Sequence, residues 1–496
     1  MATTGIPAHA GTVAGVPAAA APTATPAAAS AAASAADPTT ARVVRAGAPA
    51  PSQPAPGAAP WRRTLHFELV KLLAQWRVRV ALAACWLVPA AFVVAVGQQT
   101  QLPADTVFGR WMHASGWAGS LVVLGFCCTW ALPLLTALVA GDAFAVEDRL
   151  GTWRHLLLVV RSPRRIFAAK ALSSTAVVGL MVGGLTASSI VGGLLGGTGH
   201  DLVGLSGQPL PAGRAAGLVL LAWGCALVGA LAYAAVGLLG SVALGRSPMG
   251  LAAPALLAVV LQGAQLFPLP AVVRLALPSQ VLLGWRGLFT APAQTGPLLA
   301  GLATALAWTA VATAAAYVLF VRRDFANPTD DGTGRSALLL GVAPLVGILV
   351  ASTSVIALAT PTRGSGIERA QVERAVATSF AHLYRLQTDE LHRPAVTEQQ
   401  LATGATCDRA GGRYAARGPG SDWRCVVTWH LPGAQAVGSA VYQLDVAADG
   451  RFVADGDGPK EVNGYFTVRT PHGDQANPLW QVDGLVDLMA PPPSKG

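Results

Sequence analysis

The chain has 496 residues, 53% of them hydrophobic and only 12% charged, with a mean hydropathy of +0.49. Soluble domains carry about a quarter charged residues, so the composition excludes an ordinary globular protein and reads as a polytopic membrane protein. The net charge of +9 reads as the Lys/Arg excess that orients membrane spans, not as a nucleic-acid surface, because the basic residues sit beside apolar stretches.

In chain order, residues 1–60 are Ala, Pro, Thr and Ser with almost no charge or large apolar side chains. Such a segment buries too little surface to offset its ordering entropy, so a disordered cytosolic tail is expected. Residues 61–79 (WRRTLHFELVKLLAQWRVR) place Leu65, Leu69, Leu72, Leu73 and Trp76 at helical spacing. Arg62, Arg63, Glu68, Lys71, Arg77 and Arg79 take other faces. A basic amphipathic helix edged by Trp suits the membrane surface, so membrane lipid is an expected partner.

Seven apolar spans are expected, at about 80–97, 117–140, 171–197, 215–244, 250–267, 297–321 and 336–360. The third is rich in Gly and Ser (Gly179, Gly183, Gly184, Ser188, Ser189, Gly192, Gly193), which lets helices approach closely in lipid. Between spans five and six, residues 268–296 are less apolar and read as an interfacial or re-entrant helix pair. The spans are nearly free of charge; Gln262 and Gln265 are their most polar side chains. A proton-driven antiporter is disfavoured, since intramembrane charge marks such relays. Lys and Arg cluster on alternate loops: Arg62, Arg63, Lys71, Arg77 and Arg79, then 149–170, then Arg246, Arg322, Arg323 and Arg335. The opposite loops hold Arg110, Arg274 and Arg286, with Arg214 at a boundary. The expected topology is N-terminus inside and C-terminus outside, in a plasma membrane. Abundant Arg, Ala and Gly point to a GC-rich bacterial genome.

Residues 361–496 then form an extracytoplasmic domain. A helix over 367–391 and strands at 424–430, 440–447, 451–454 and 464–469, with Asp449-Gly450 as a hairpin turn, predict a small α+β unit. Four cysteines, Cys85, Cys127, Cys128 and Cys225, lie in spans. Cys407 and Cys425 share the outer segment and read as a disulfide.

No phosphate loop of the form GxxxxGK[ST] occurs, so nucleotide hydrolysis by that route is not expected. Leu205-Ser206-Gly207-Gln208 looks like part of an ATPase signature but stands in an outer loop without its phosphate loop. Asp455-Gly456-Asp457-Gly458 lacks the downstream Glu of a calcium loop, and the histidines show no metal-ligand spacing. The chain reads as a non-enzyme with no cofactor or metal of its own.

One polar island, 141–170 (GDAFAVEDRLGTWRHLLLVVRSPRRIFAAK), separates the second and third spans. Gly151 can break a helix and Thr152 can cap a new one, laying a short helix across the membrane face. The order of features resembles the ABC-2 type transporter permeases. It runs from an elbow with Glu68 and Lys71 to Gly141, Glu147, Gly151-Thr152, Leu156-Leu157, Ser162-Pro163-Arg164 and Lys170. The resemblance covers about 61–323, a six-span bundle at 80–323, to which 324–360 adds a cytosolic loop and a seventh span. It implies a separate ATP-hydrolysing subunit touching Glu68, Lys71, Glu147, Arg149, Gly151, Thr152, Arg154, Arg161, Arg164 and Arg165. It also implies pairing with a second copy or a sister permease. The expected function is ATP-driven export of a lipophilic or amphipathic substrate such as a drug, a lipid or a glycan carrier. The alternative is a non-transporting membrane receptor whose C-terminal domain is the sensor.

Overall fold

The computed structural model describes residues 60–99, 115–196, 201–244, 249–323, 325, 334–471 and 473–490. The tail expected over 1–60 (Pro60 apart), the loop with Arg110 and the turn carrying Arg246 lie outside the described residues.

The expected amphipathic helix 61–79 is two pieces. Helix α1 spans Trp61–Ala74, Gln75 adopts an extended conformation, and α2 begins at once as Trp76–Gly97. The break leaves helix carbonyls without intrahelical partners. Two are recovered locally: the Gln75 amide donates to Leu72 and Arg79 Nε donates to the Leu73 carbonyl at 2.8 Å. Trp76, Arg77 and Arg79 therefore open the first span.

Helix α3 runs from Gly116 to Leu150 with a π turn at Cys127–Ala131, just before Pro133. Gly151, in the left-handed region at φ 66°, ends it. The short α4 (Trp153–Val160) follows, and Arg161, also left-handed, ends that. Pro163 starts α5, Pro163–Gly196, where its missing amide costs nothing. A two-stranded hairpin, β1 (Leu202–Val203) and β2 (Pro209–Leu210), leads to α6 (Ala212–Leu244). The Leu205–Gln208 run is the turn of this hairpin.

The fifth expected span is a short helix, α7, Met249–Gly263. Its 15 residues reach about 22 Å, less than a hydrocarbon core of about 30 Å. The remaining depth is filled by short helical turns over 271–289, the expected interfacial segment. Gln265 fastens the two, donating to the Arg274 carbonyl at 3.0 Å and to Ser279 Oγ at 2.9 Å. Helices α8 (Gly296–Val321) and α9 (Gly334–Ala359) complete the membrane body. Among the described residues, six helices are long and apolar enough to cross a membrane.

Small residues set the closest crossings. A Cβ on Gly193 would lie 1.9 Å from the Gly116 carbonyl oxygen, and one on Gly192 would lie 2.6 Å from Ala90 Cα. Gly179 and Gly183, expected at the same interface, face open space.

The C-terminal domain packs helix α10 (Arg369–Glu390) on one face of a five-stranded antiparallel sheet. The strands are β3 (Gly404–Arg409), β4 (Gly420–His430), β5 (Val437–Val446), β6 (Arg451–Gly458) and, after a hairpin of β7 (Thr467–Thr470) and β8 (Gly473–Ala476), β9 (Gln481–Leu485). They pair in the order β3-β4-β5-β6-β9. Val372, Val376 and Phe380 meet Trp423, Val427, Trp429, Tyr442 and Phe452 in the core. Alternate residues of β4 point away, as a half-covered sheet requires. The edge strands β3 and β9 were not expected: GATCDR and QVDGL contain Gly and Asp, which strands disfavour. The run expected as a strand over 464–469 is ordered as one only from Thr467. Cys407 and Cys425 are register partners on β3 and β4 and form a disulfide.

Candidate functional site

The polar island and the elbow meet at one end of the membrane body, around a buried charge cluster. Lys170, near the start of α5, is 2% exposed. Its Nζ donates to Glu68 Oε2 of α1 at 3.0 Å, to Glu147 Oε1 of α3 at 2.9 Å and to the Ala143 carbonyl at 2.9 Å. Lys71, one turn after Glu68, reaches the same Glu147 oxygen, and Thr152 Oγ1 donates to the other. Two carboxylates and two ammonium groups thus neutralise each other. The rings of Phe144 and Trp153 each lie 5.8 Å from the Lys170 charge. The cluster ties together three helices and the break before α4.

Beyond the cluster, α4 is anchored by its first residue. Trp153 packs against Phe144, Phe320 and Phe325, with ring centroids 6.2, 5.3 and 5.6 Å away. Its Nε1 donates to Asp148 Oδ1 at 2.7 Å, and Asp148 is paired with Arg323 at the end of α8. With Trp153 and Val160 buried, the opposite side of α4 faces out: Arg154, His155, Leu158 (74% exposed) and Val159 (61%), next to Leu150 at the end of α3.

The residues named from the sequence therefore fall into two groups. Gly151, Arg154, Arg161, Arg164 and Arg165 lie together on the exposed surface, and none of these four arginines has an ion-pair partner among the described residues. Arg149 is exposed but paired with Asp142. Glu68 and Glu147 are buried, at 2% and 0% exposure, and face the cluster. Lys71 is partly exposed and bridges the groups. Thr152 stands at the N-cap of α4 but makes no capping bond; its hydroxyl serves Glu147. Sequence spacing placed Glu68 on a polar face of the elbow. In the structure that face turns inward with Thr64 and Leu72, while Trp61, Phe67 and Val70 turn outward. Lys170, Trp153, Asp148 and Arg323 were not among the site residues read from the sequence. A lone Lys seven residues past Pro163, level with apolar spans, was the available signal for the first.

A body of long apolar helices with an elbow helix tied to a short surface helix fits a membrane permease. Residues 64–262, from α1 to the end of α7, match the family model described as ABC-2 family transporter protein. Over these residues the chain is similar to that family, and the match supports a membrane permease of an ABC transporter. No curated protein matches the chain.

Proposed function

We propose that the chain is the membrane subunit of an ATP-driven exporter, worked by a separate ABC ATPase that docks on α4 and the Arg161–Arg165 turn. The observation that carries this is the outward side of α4. It joins exposed Leu150, Leu158 and Val159 to unpaired arginines, on a helix locked from behind by Trp153. An apolar centre rimmed by charge is the usual anatomy of a protein interface. Permeases of this family work with an ABC ATPase as a class. Movement of α4 passes to α3 through Glu147 and to α1 and α5 through Lys170, because the buried cluster leaves no slack between them. The Lys/Arg excess at this end supports a cytosolic side, and the disulfide supports an extracytoplasmic C-terminal domain. The membrane body offers neutral polar groups between its ends, such as Gln262 near Tyr233 and Ser120 near Ser189. A lipophilic or amphipathic substrate fits such an interior. Two copies, or this chain and a sister permease, would enclose the path.

The test is whether a neighbouring gene encodes an ABC ATPase and whether the tagged chain, co-expressed with it, retains that ATPase on purification. Leu158→Asp with Val159→Asp places two charges in the apolar centre and is expected to abolish co-purification of the ATPase, with membrane insertion unchanged. Normal recovery of the ATPase with the double variant would sink the docking assignment.

A further inference from the structure

The junction between α9 and the C-terminal domain contains a cleft of about 320 Å³ lined by Arg363, Gly364, Ser365, Glu368, Arg417 and Gly418. Its floor is fixed to the membrane body. Ala271 donates its amide to the Gly364 carbonyl at 2.8 Å, and Arg274 Nη2 donates to the Ser365 carbonyl at 2.8 Å. Behind it, Arg409 Nη1 donates to the Arg417 carbonyl at 2.6 Å while the same side chain pairs with Asp422.

Charge around the cleft is unbalanced. Arg363 and Arg417 are exposed, and neither guanidinium has a hydrogen-bond or ion-pair partner among the described residues. The one carboxylate of the lining, Glu368, is engaged in the capping box of α10, accepting from the backbone of Gln371. Arg274 adds its charge from below. The cleft also has a defined depth. Helix α9 ends at Ala359, so Arg363 stands four residues on, at most about 14 Å along the chain. Gly364 is held down against Ala271. The headgroup layer is about 5–8 Å thick on each side of the hydrocarbon, and an arginine side chain from this position reaches it.

We propose that this cleft binds the phosphate of an anionic phospholipid headgroup. Two arginines lining one concave site, their guanidinium groups without partners among the described residues, suit a phosphate, which takes paired N–H donors. The cleft stands within reach of the headgroup layer. The site depends on the position of the cleft at the membrane surface and stands whether or not the transport reading holds.

The test uses the purified full-length chain in detergent, titrated with phosphatidylglycerol and followed by native mass spectrometry. Arg363→Gln and Arg417→Gln are each expected to weaken binding about tenfold, and the pair about a hundredfold, with unchanged melting temperature. Arg424→Gln, on the open face of the sheet, should bind as the parent does. Glycerol phosphate and inorganic phosphate should compete only at far higher concentration than the lipid. Parent-like affinity in the glutamine pair overturns the site. Displacement of the lipid by inorganic phosphate at matching concentration overturns the lipid assignment in favour of a free anion. Should the glutamine pair fail to fold, R363K with R417K decides: weaker binding supports the cleft, and unchanged binding overturns it.

Discussion

Glu147 has no exposed surface, yet it carries a charge, and its surroundings account for both. Moving a carboxylate out of water costs several kcal/mol, recovered only when every oxygen is well partnered. Lys170, Lys71 and Thr152 supply those partners. Removing one member leaves the others buried and unpaired. Glu147→Ala is expected to destabilise the elbow end by about 3–5 kcal/mol. A double-mutant cycle with Lys71→Ala, read by thermal melting, should recover part of that loss; strict additivity would show that the two do not interact. Loss of transport in Glu147→Ala therefore has to be measured beside stability. Glu390, at the end of α10, has its carboxyl pushed up from 4.5 to about 7 by burial, with the charge of Asp389 adding to it. The folded domain then holds this proton more tightly than the unfolded chain. Stability is unaffected below pH 4.5, falls as pH rises from there to about 7, and stays reduced above it. Glu390→Gln should flatten that part of the melting profile. An unchanged slope would remove Glu390 as its cause.

Among the elements, the crossing of α3 and α5 depends on one atom's width. A side chain at Gly193 cannot coexist with the Gly116 carbonyl 1.9 Å from its Cβ position, so the helices would have to separate. Gly193→Val is expected to cost about 3 kcal/mol or more in melting experiments. Gly179→Ala meets nothing within 4 Å on the same helix and should be neutral or stabilise slightly. Equal effects at the two positions would refute the packing account. The elbow shows a related dependence. Its residues alone read as one amphipathic helix, and the break at Gln75 arises because α1 docks Glu68 on α5 while α2 turns to cross the membrane.

At the scale of the whole molecule, polar contacts concentrate at the two ends of the body. At one end the charge cluster and the Asp148–Arg323 pair bind the elbow, α3, α5 and α8 together. At the other, the C-terminal domain is fastened to the turns over 271–289 and to the β1–β2 hairpin. Arg286 pairs with Asp449 at 2.9 Å, buried Arg274 donates to the Ala448 carbonyl, and His382 Nδ1 lies 2.7 Å from the Ser206 carbonyl. Gly207, in the left-handed region at φ 80°, lets the hairpin turn lie against Leu383 of α10. The domain is thus fastened to the membrane body through these turns.

The sequence by itself determined where most spans lie, because a helix in lipid needs about 20 apolar residues and nothing subtler. It also determined the break at Gly151, the helix and inner strands of the C-terminal domain, and the ordered motif of the elbow and island. The tertiary structure decided which charges of that motif are exposed. Glu68 and Lys170 are 102 residues apart, and only their meeting makes either burial tolerable. Local spacing assigns a residue to a face of its helix, but whether that face meets water, lipid or an opposite charge depends on a neighbour that periodicity does not name. For the same reason α7 was read as a full span: its apolar run says nothing of the short turns that complete its depth.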